Sequence, residues 1–131
     1  MSPAVVIAVL AAGAIGALAR YGISLAFIRA TNFPRAVLVV NVAGSLLGGA
    51  VLALVDRGTV DTGLHLILVT GIAGGLTTFS TWSVETLQFV LSGRWRTAVA
   101  NVVINLLLGL SAATAAYFVV YWFFLLHQYR P

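Results

Sequence analysis

The 131-residue sequence contains no cysteine, no lysine and only three acidic residues, Asp56, Asp61 and Glu85. Without cysteine there is no disulfide, no thiolate metal site and no cysteine nucleophile. Charged residues make up 8% of the chain and hydrophobic ones 61%, where a soluble domain carries roughly 25% charge. The chain is therefore read as an integral membrane protein, one membrane domain over residues 1–131, with no stretch polar enough to be a second, soluble domain. The net charge of +4 comes from seven arginines. They fall mostly at the ends of apolar runs, where anchoring and orientation explain them better than nucleic-acid binding does. Glu85 is the one carboxylate inside an apolar run, and no histidine or cysteine is placed to work with it, so no hydrolytic constellation exists and an enzyme is not expected. His65 and His127 lie near expected membrane interfaces without ligand spacing, which leaves no metal cluster. Met1-Ser2-Pro3-Ala4 has no basic segment, so the first apolar run is expected to be a retained span and not a cleaved signal.

Four runs are long enough to cross a bilayer, since about twenty apolar residues at ~1.5 Å each cover the ~30 Å hydrocarbon layer. The expected fold class is an all-α integral membrane protein with spans near residues 4–28, 36–55, 64–91 and 97–126. In the first span, Gly13, Gly16 and Ala17 form a small-residue face that lets another helix approach closely, and Gly44 and Gly48 do the same in the second. Arg20 is open to two readings, a snorkelling interface residue or a cation at the mouth of an anion pathway. Asn41 and Ser45 share a face of the second span. The Asn41 carboxamide inside hydrocarbon needs partners, either on a neighbouring helix or on a passing anion. In the fourth span Asn101, Asn105 and Gly109 recur every fourth residue and make a polar stripe that must face protein or water. The span ends in an aromatic belt from Tyr117 to Phe124. Four spans put both termini on one side. Arg29, Arg35, Arg94 and Arg96 on one side outweigh Arg57 and Arg130 on the other, a modest bias that favours termini outside and permits both orientations.

The third span carries the most unusual stretch, Gly71-Ile72-Ala73-Gly74-Gly75-Leu76-Thr77-Thr78-Phe79-Ser80-Thr81-Trp82-Ser83. A glycine pair followed by threonines is a poor continuation of a helix. A break is expected near residues 74–78, and broken backbone at membrane depth is tolerated only where protein buries it or where it lines a polar cavity. Phe79, Trp82 and Glu85 follow at helical spacing along one side. Hydroxyls, carboxamides and aromatic edges suit a small anion, because they donate weakly from several points without a deep lysine or arginine that would hold the anion too tightly to release it. Carbonyls freed at the break could hold a cation instead. Four helices cannot enclose both a core and a conduit, so transport implies an oligomer.

Three segments carry a resemblance to the Fluc (CrcB-type) fluoride channels: Gly13-Ala14-Ile15-Gly16-Ala17-Leu18-Ala19-Arg20-Tyr21, Val40-Asn41-Val42-Ala43-Gly44-Ser45 and Gly74-Gly75-Leu76-Thr77-Thr78-Phe79-Ser80-Thr81-Trp82-Ser83. The resemblance implies an antiparallel, dual-topology dimer in the cell membrane of a prokaryote, with two fluoride pores and a structural Na+ at its centre. That Na+ would be held by the main-chain carbonyls of Gly74 and Thr77 from each subunit. By the same matching, Asn41 is the pore asparagine, Phe79 the first ring of an aromatic box, Arg20 a vestibule arginine and Glu85 the carboxylate after the box. Thr78, Ser80, Ser83, Asn101 and Asn105 complete the implied fluoride pathway. Trp82 stands where the family has a second phenylalanine, and its indole could offer an N–H instead. Val37 replaces a common threonine four residues before Asn41. A homodimer is expected, with a heterodimer of two related chains as the alternative.

The implied function is passive export of cytoplasmic fluoride. A proton-coupled small multidrug transporter is the main competitor, but its chemistry needs an acid in the first span, which here offers Arg20 and no acid. A non-transporting helical scaffold would explain the glycine seams and leave the hydroxyl-rich stretch unexplained.

Overall fold

The computed structural model describes residues 1–27 and 34–128, without the side chains of His127 and Gln128. The loop arginine Arg29, the end of the expected first span at Ile28, Arg130 and the His127 ring lie outside the described residues. Among those described, every regular element is helical, and four helices are long and apolar enough to cross a membrane: Pro3–Ala26, Arg35–Asp56, Thr62–Leu91 and Trp95–Leu126.

Helix α1, Pro3–Ala26, starts where Ser2 Oγ accepts the Val5 N–H at 3.3 Å and Pro3 takes the first helical position, which needs no backbone donor. Helix α2, Arg35–Asp56, closes on Gly58 at φ +68°, a conformation that favours glycine. Asp61 Oδ1 then accepts the Leu64 N–H at 3.0 Å and opens the third span.

The third span changes helical form along its length. Helix α3, Thr62–His65, passes into a wide-turned π-helix over Leu66–Ala73, which returns to α geometry in the single turn α4, Gly74–Leu76. Thr77 (φ −76°, ψ 160°) and Thr78 (φ −149°, ψ 116°) are extended, and α5, Phe79–Leu91, resumes the helix. The glycine pair is thus not where helical geometry lapses. Gly74 sits at φ −64°, ψ −38°, and the extended residues are the two threonines after it. Gly93, at φ +75°, turns the chain into α6, Trp95–Gln128.

Glycine sets the closest contacts. A Cβ on Gly75 would run into the Gly13 backbone of α1, and one on Gly16 would lie 2.8 Å from the Leu76 nitrogen. The face of Gly13 and Gly16 therefore docks the third span. Helix α2 lies along α6, where a Cβ on Gly49 would meet the Ala113 carbonyl. A Cβ on Gly44 would meet the Thr77 methyl, so α2 also abuts the interruption. Large apolar side chains such as Leu10, Leu18 and Leu110 point outward, as they do on a surface solvated by lipid. The interior instead holds small residues and three polar ones, Thr78, Asn101 and Asn105.

Candidate ion pathway at the helix interruption

Two extended residues inside an apolar span leave backbone groups to be matched, and the structure matches them with side chains. In an unbroken helix the Thr78 N–H would donate to the Gly74 carbonyl and the Thr81 N–H to the Thr77 carbonyl. Here the Thr78 N–H donates to Asn41 Oδ1 at 2.9 Å, and the Thr81 N–H donates to Thr78 Oγ1 at 3.2 Å, an N-cap for α5. The Gly74 and Thr77 carbonyls are thereby released from their helical donors. Arg20 Nη1 donates to the Thr77 carbonyl at 3.1 Å, so α1 reaches the interruption with a charged group.

Asn41 returns the contact through its amide nitrogen, which lies 3.5 Å from the Thr78 carbonyl and donates to Asn105 Oδ1 at 3.2 Å. Asn105 Nδ2 donates in turn to the Asn101 carbonyl at 3.0 Å and to Asn101 Oδ1 at 3.1 Å. Asn101 Nδ2 donates to Thr86 Oγ1 at 2.8 Å, and Thr86 donates to the Trp82 carbonyl at 2.7 Å. The indole Nε1 of Trp82 donates to the Asn101 carbonyl at 3.3 Å. One connected polar network therefore joins α2, the interruption, α5 and α6.

Beside this network lies a cleft of about 350 Å³. Asn41 and Ser45 line it from α2, Thr77 and Thr78 from the interruption, Phe79 and Trp82 from α5, and Asn105, Leu106 and Gly109 from α6. None of these is charged. The Phe79 and Trp82 rings are 5.3 Å apart and inclined at 56°, and Phe79 is 76% exposed, so its ring is left uncovered by its own chain. A second cleft shares Ser45 and continues between α2 and α6 past Gly48, Gly49 and Thr114 to Tyr117, whose hydroxyl donates to Asp56 Oδ2 at 2.8 Å. Arg57 stands there over the Tyr121 ring, 4.1 Å from its centre.

The expected pathway residues divide. Asn41, Thr78, Phe79, Trp82 and Asn105 line the first cleft, whereas Ser80, Ser83 and Asn101 do not. Ser83 Oγ turns back onto the Phe79 carbonyl at 2.8 Å, Ser80 Oγ pairs with Thr78 Oγ1 at 3.3 Å, and Asn101 is fully buried. Arg20 and Glu85 also lie off the cleft lining, and Glu85 Oε2 is buried without a hydrogen-bond partner among the described residues. Val37 is buried in α2. Thr86 joins the network unheralded except by its spacing of four from Trp82, and Ser45 and Gly109, which share faces with Asn41 and Asn105, also line the cleft.

A family pattern described as CrcB-like protein, Camphor Resistance (CrcB), matches residues 7–117. A protein of Saccharophagus degradans named "Fluoride-specific ion channel FluC" is 41% identical over 112 residues, covering 84% of each chain. "Fluoride-specific ion channel FluC 2" of Symbiobacterium thermophilum is 43% identical over 107 residues, 79% of this chain and 87% of its own. The FluC of Shewanella amazonensis is 42% identical over 108 residues, 81% of this chain and 87% of its own. The matched region takes in α1, α2, the interruption and the carboxamide stripe of α6, and with it this chain belongs to the CrcB, or Fluc, family.

Proposed function

We propose that this multi-pass membrane protein is the subunit of a passive fluoride channel. The observation that carries the reading is the cleft at the interruption, which offers hydroxyl, carboxamide and aromatic groups and no charged side chain, in a chain whose relatives bear the name of fluoride channels. A small anion there meets several weak contacts and no single strong one, which is what conduction needs. The family is one of ion channels, and the chain is not an enzyme. Arg20, held on the Thr77 carbonyl, brings positive charge to the interruption rather than to an entrance, and fluoride leaves the cytoplasm across the cell membrane down its electrochemical gradient.

The conducting unit in this proposal is an antiparallel homodimer with two pores. The 76% exposure of Phe79 beside the cleft supports a second copy as its cover. The interruption would then lie at mid-membrane depth, with Thr77 and Gly74 near the dimer axis. Their carbonyls fit a hard monovalent cation such as Na+, because both have lost their helical donors and neutral oxygen ligands suit such an ion. The Arg20 bond occupies one side of the Thr77 oxygen, and a carbonyl has two lone pairs. Exchanging sodium for a bulky organic cation during purification is expected to lower the dimer fraction in size-exclusion chromatography, and an unchanged elution profile would count against these carbonyls as ligands.

The function itself is tested by reconstituting this chain alone in liposomes and recording fluoride efflux beside chloride efflux. Rapid fluoride efflux with chloride at background is expected. Absent fluoride flux, or equal flux of both ions, would sink the proposal. A multidrug transporter would instead show proton-coupled uptake of an organic cation, and a scaffold would show neither.

A further inference from the structure

The polar network has no freedom of direction, and the reason lies at its two ends. A backbone N–H can only donate and a backbone carbonyl can only accept. The Thr78 N–H needs an acceptor, so Asn41 must turn its oxygen there and its nitrogen toward Asn105. Asn105 must then offer oxygen to Asn41 and nitrogen to Asn101, where the carbonyl accepts it. Asn101 Oδ1 takes the same nitrogen, which commits the Asn101 amide to Thr86.

Asn101 is fully buried and does not line the cleft, so it has no access to an ion there. It grips α5 at two residues one turn apart: its carbonyl takes the Trp82 N–H, and its amide donates to Thr86, which is tied to the Trp82 carbonyl. The indole held this way lies against Phe79 with the rings 5.3 Å apart. Its N–H points to α6 and its ring forms part of the cleft wall.

We infer that Trp82 and Asn101 are a positioning pair: the indole N–H is spent on the Asn101 carbonyl, where it holds the Phe79 ring and the Asn105–Asn41 amides in the orientation the cleft presents, and it never meets the ion. The inference rests on the channel reading above. It makes phenylalanine at position 82 an imperfect substitute in this chain, since the ring would remain and the tether between α5 and α6 would go.

The test uses the full-length protein in two ways. In detergent or nanodiscs, fluoride titration followed by indole 15N–1H NMR is expected to leave the Trp82 resonance, assigned by its loss in Trp82→Phe, in place. A large fluoride-dependent shift of that resonance would make the indole a ligand and overturn the inference. In liposomes, Trp82→Phe and Thr86→Val are each expected to lower fluoride flux about fivefold, the scale of one lost hydrogen bond. The double variant should lose no more than either single one, and Thr86→Ser should restore flux. Undiminished flux in Trp82→Phe beside an active wild type would refute the positioning role alone, whereas an inactive wild type would refute the channel reading with it. Should Trp82→Phe fail to assemble, the Thr86→Val and Thr86→Ser pair still decides.

Discussion

Replacing Asn41 by leucine is expected to abolish fluoride flux and to lower the thermal stability of the protein, because two tasks end at one carboxamide. Its oxygen accepts the Thr78 N–H at 2.9 Å and its nitrogen donates to Asn105 at 3.2 Å. Leucine leaves both partners unmatched in an apolar interior, at a cost of about 1–3 kcal/mol for each orphaned group, and nothing in the third span can reclaim the Thr78 donor without rebuilding the helix. Asn41→Asp separates the two tasks. The carboxylate still accepts the Thr78 N–H, so the fold is retained, but the bond to Asn105 Oδ1 is lost and a negative charge faces the cleft. Two like charges at ~4 Å repel by roughly 4 kcal/mol at an effective dielectric near 20, so flux should fall more than about a hundredfold. Liposome efflux paired with a thermal melt of each variant checks both statements, and wild-type flux in either variant would remove Asn41 from the pathway.

The second large effect concerns a methyl group. Gly75→Ala places a Cβ against the Gly13 backbone, with the Gly13 carbonyl carbon and Cα each at 3.0 Å, and backbone cannot step aside as a side chain can. Overpacking of this kind costs about 1–3 kcal/mol or more. It also pushes α1 away from the turn that delivers the Thr77 carbonyl to Arg20. The variant is expected to aggregate or to elute with a much reduced folded fraction. Gly13→Ala, across the same contact, should be tolerated, since its Cβ would lie 3.8 Å from the Gly71 carbonyl, an ordinary contact. Gly22→Ala, with nothing within 4 Å, should be silent. Equal behaviour of the three in fluorescence-detected size-exclusion chromatography would show that the α1 docking face is not as close as described.

That four helices are long and apolar enough to span was readable from apolar length alone, and the close approach at Gly13 and Gly16 from small residues sharing one helical face. What the third span does was readable only in part. Glycine's poor helix propensity drew attention to Gly74 and Gly75, yet both stay helical, because their value lies in letting α1 approach and packing overrides propensity. The wide turns over Leu66–Ala73 left no mark in an apolar run. At the candidate site, the carboxamides of Asn41, Asn101 and Asn105 were visible as polar residues in lipid, but their partners were not. A hydrogen bond from α2 to a backbone amide 37 residues later depends on how helices pack, and no periodicity encodes that. The two roles open to Asn41 therefore could not be separated in the sequence. In the structure its oxygen and one amide hydrogen are engaged within the protein, and the second contact of its nitrogen, 3.5 Å from the Thr78 carbonyl, is the weak one.

The directed carboxamide network bears on what must not cross the membrane. A file of waters or hydroxyls conducts protons, since each oxygen can take a proton on one side and release another on the opposite side. An amide donates from nitrogen and accepts on oxygen, and passing a proton along Asn41, Asn105 and Asn101 would require each to change into its imidic acid form. With its ends set by the Thr78 N–H and the Asn101 carbonyl, the carboxamide chain beside the cleft is polar and yet no proton relay, in contrast to the Ser45, Thr77 and Thr78 hydroxyls that share the lining. A membrane that stores its energy as a proton gradient loses none of it through those three amides.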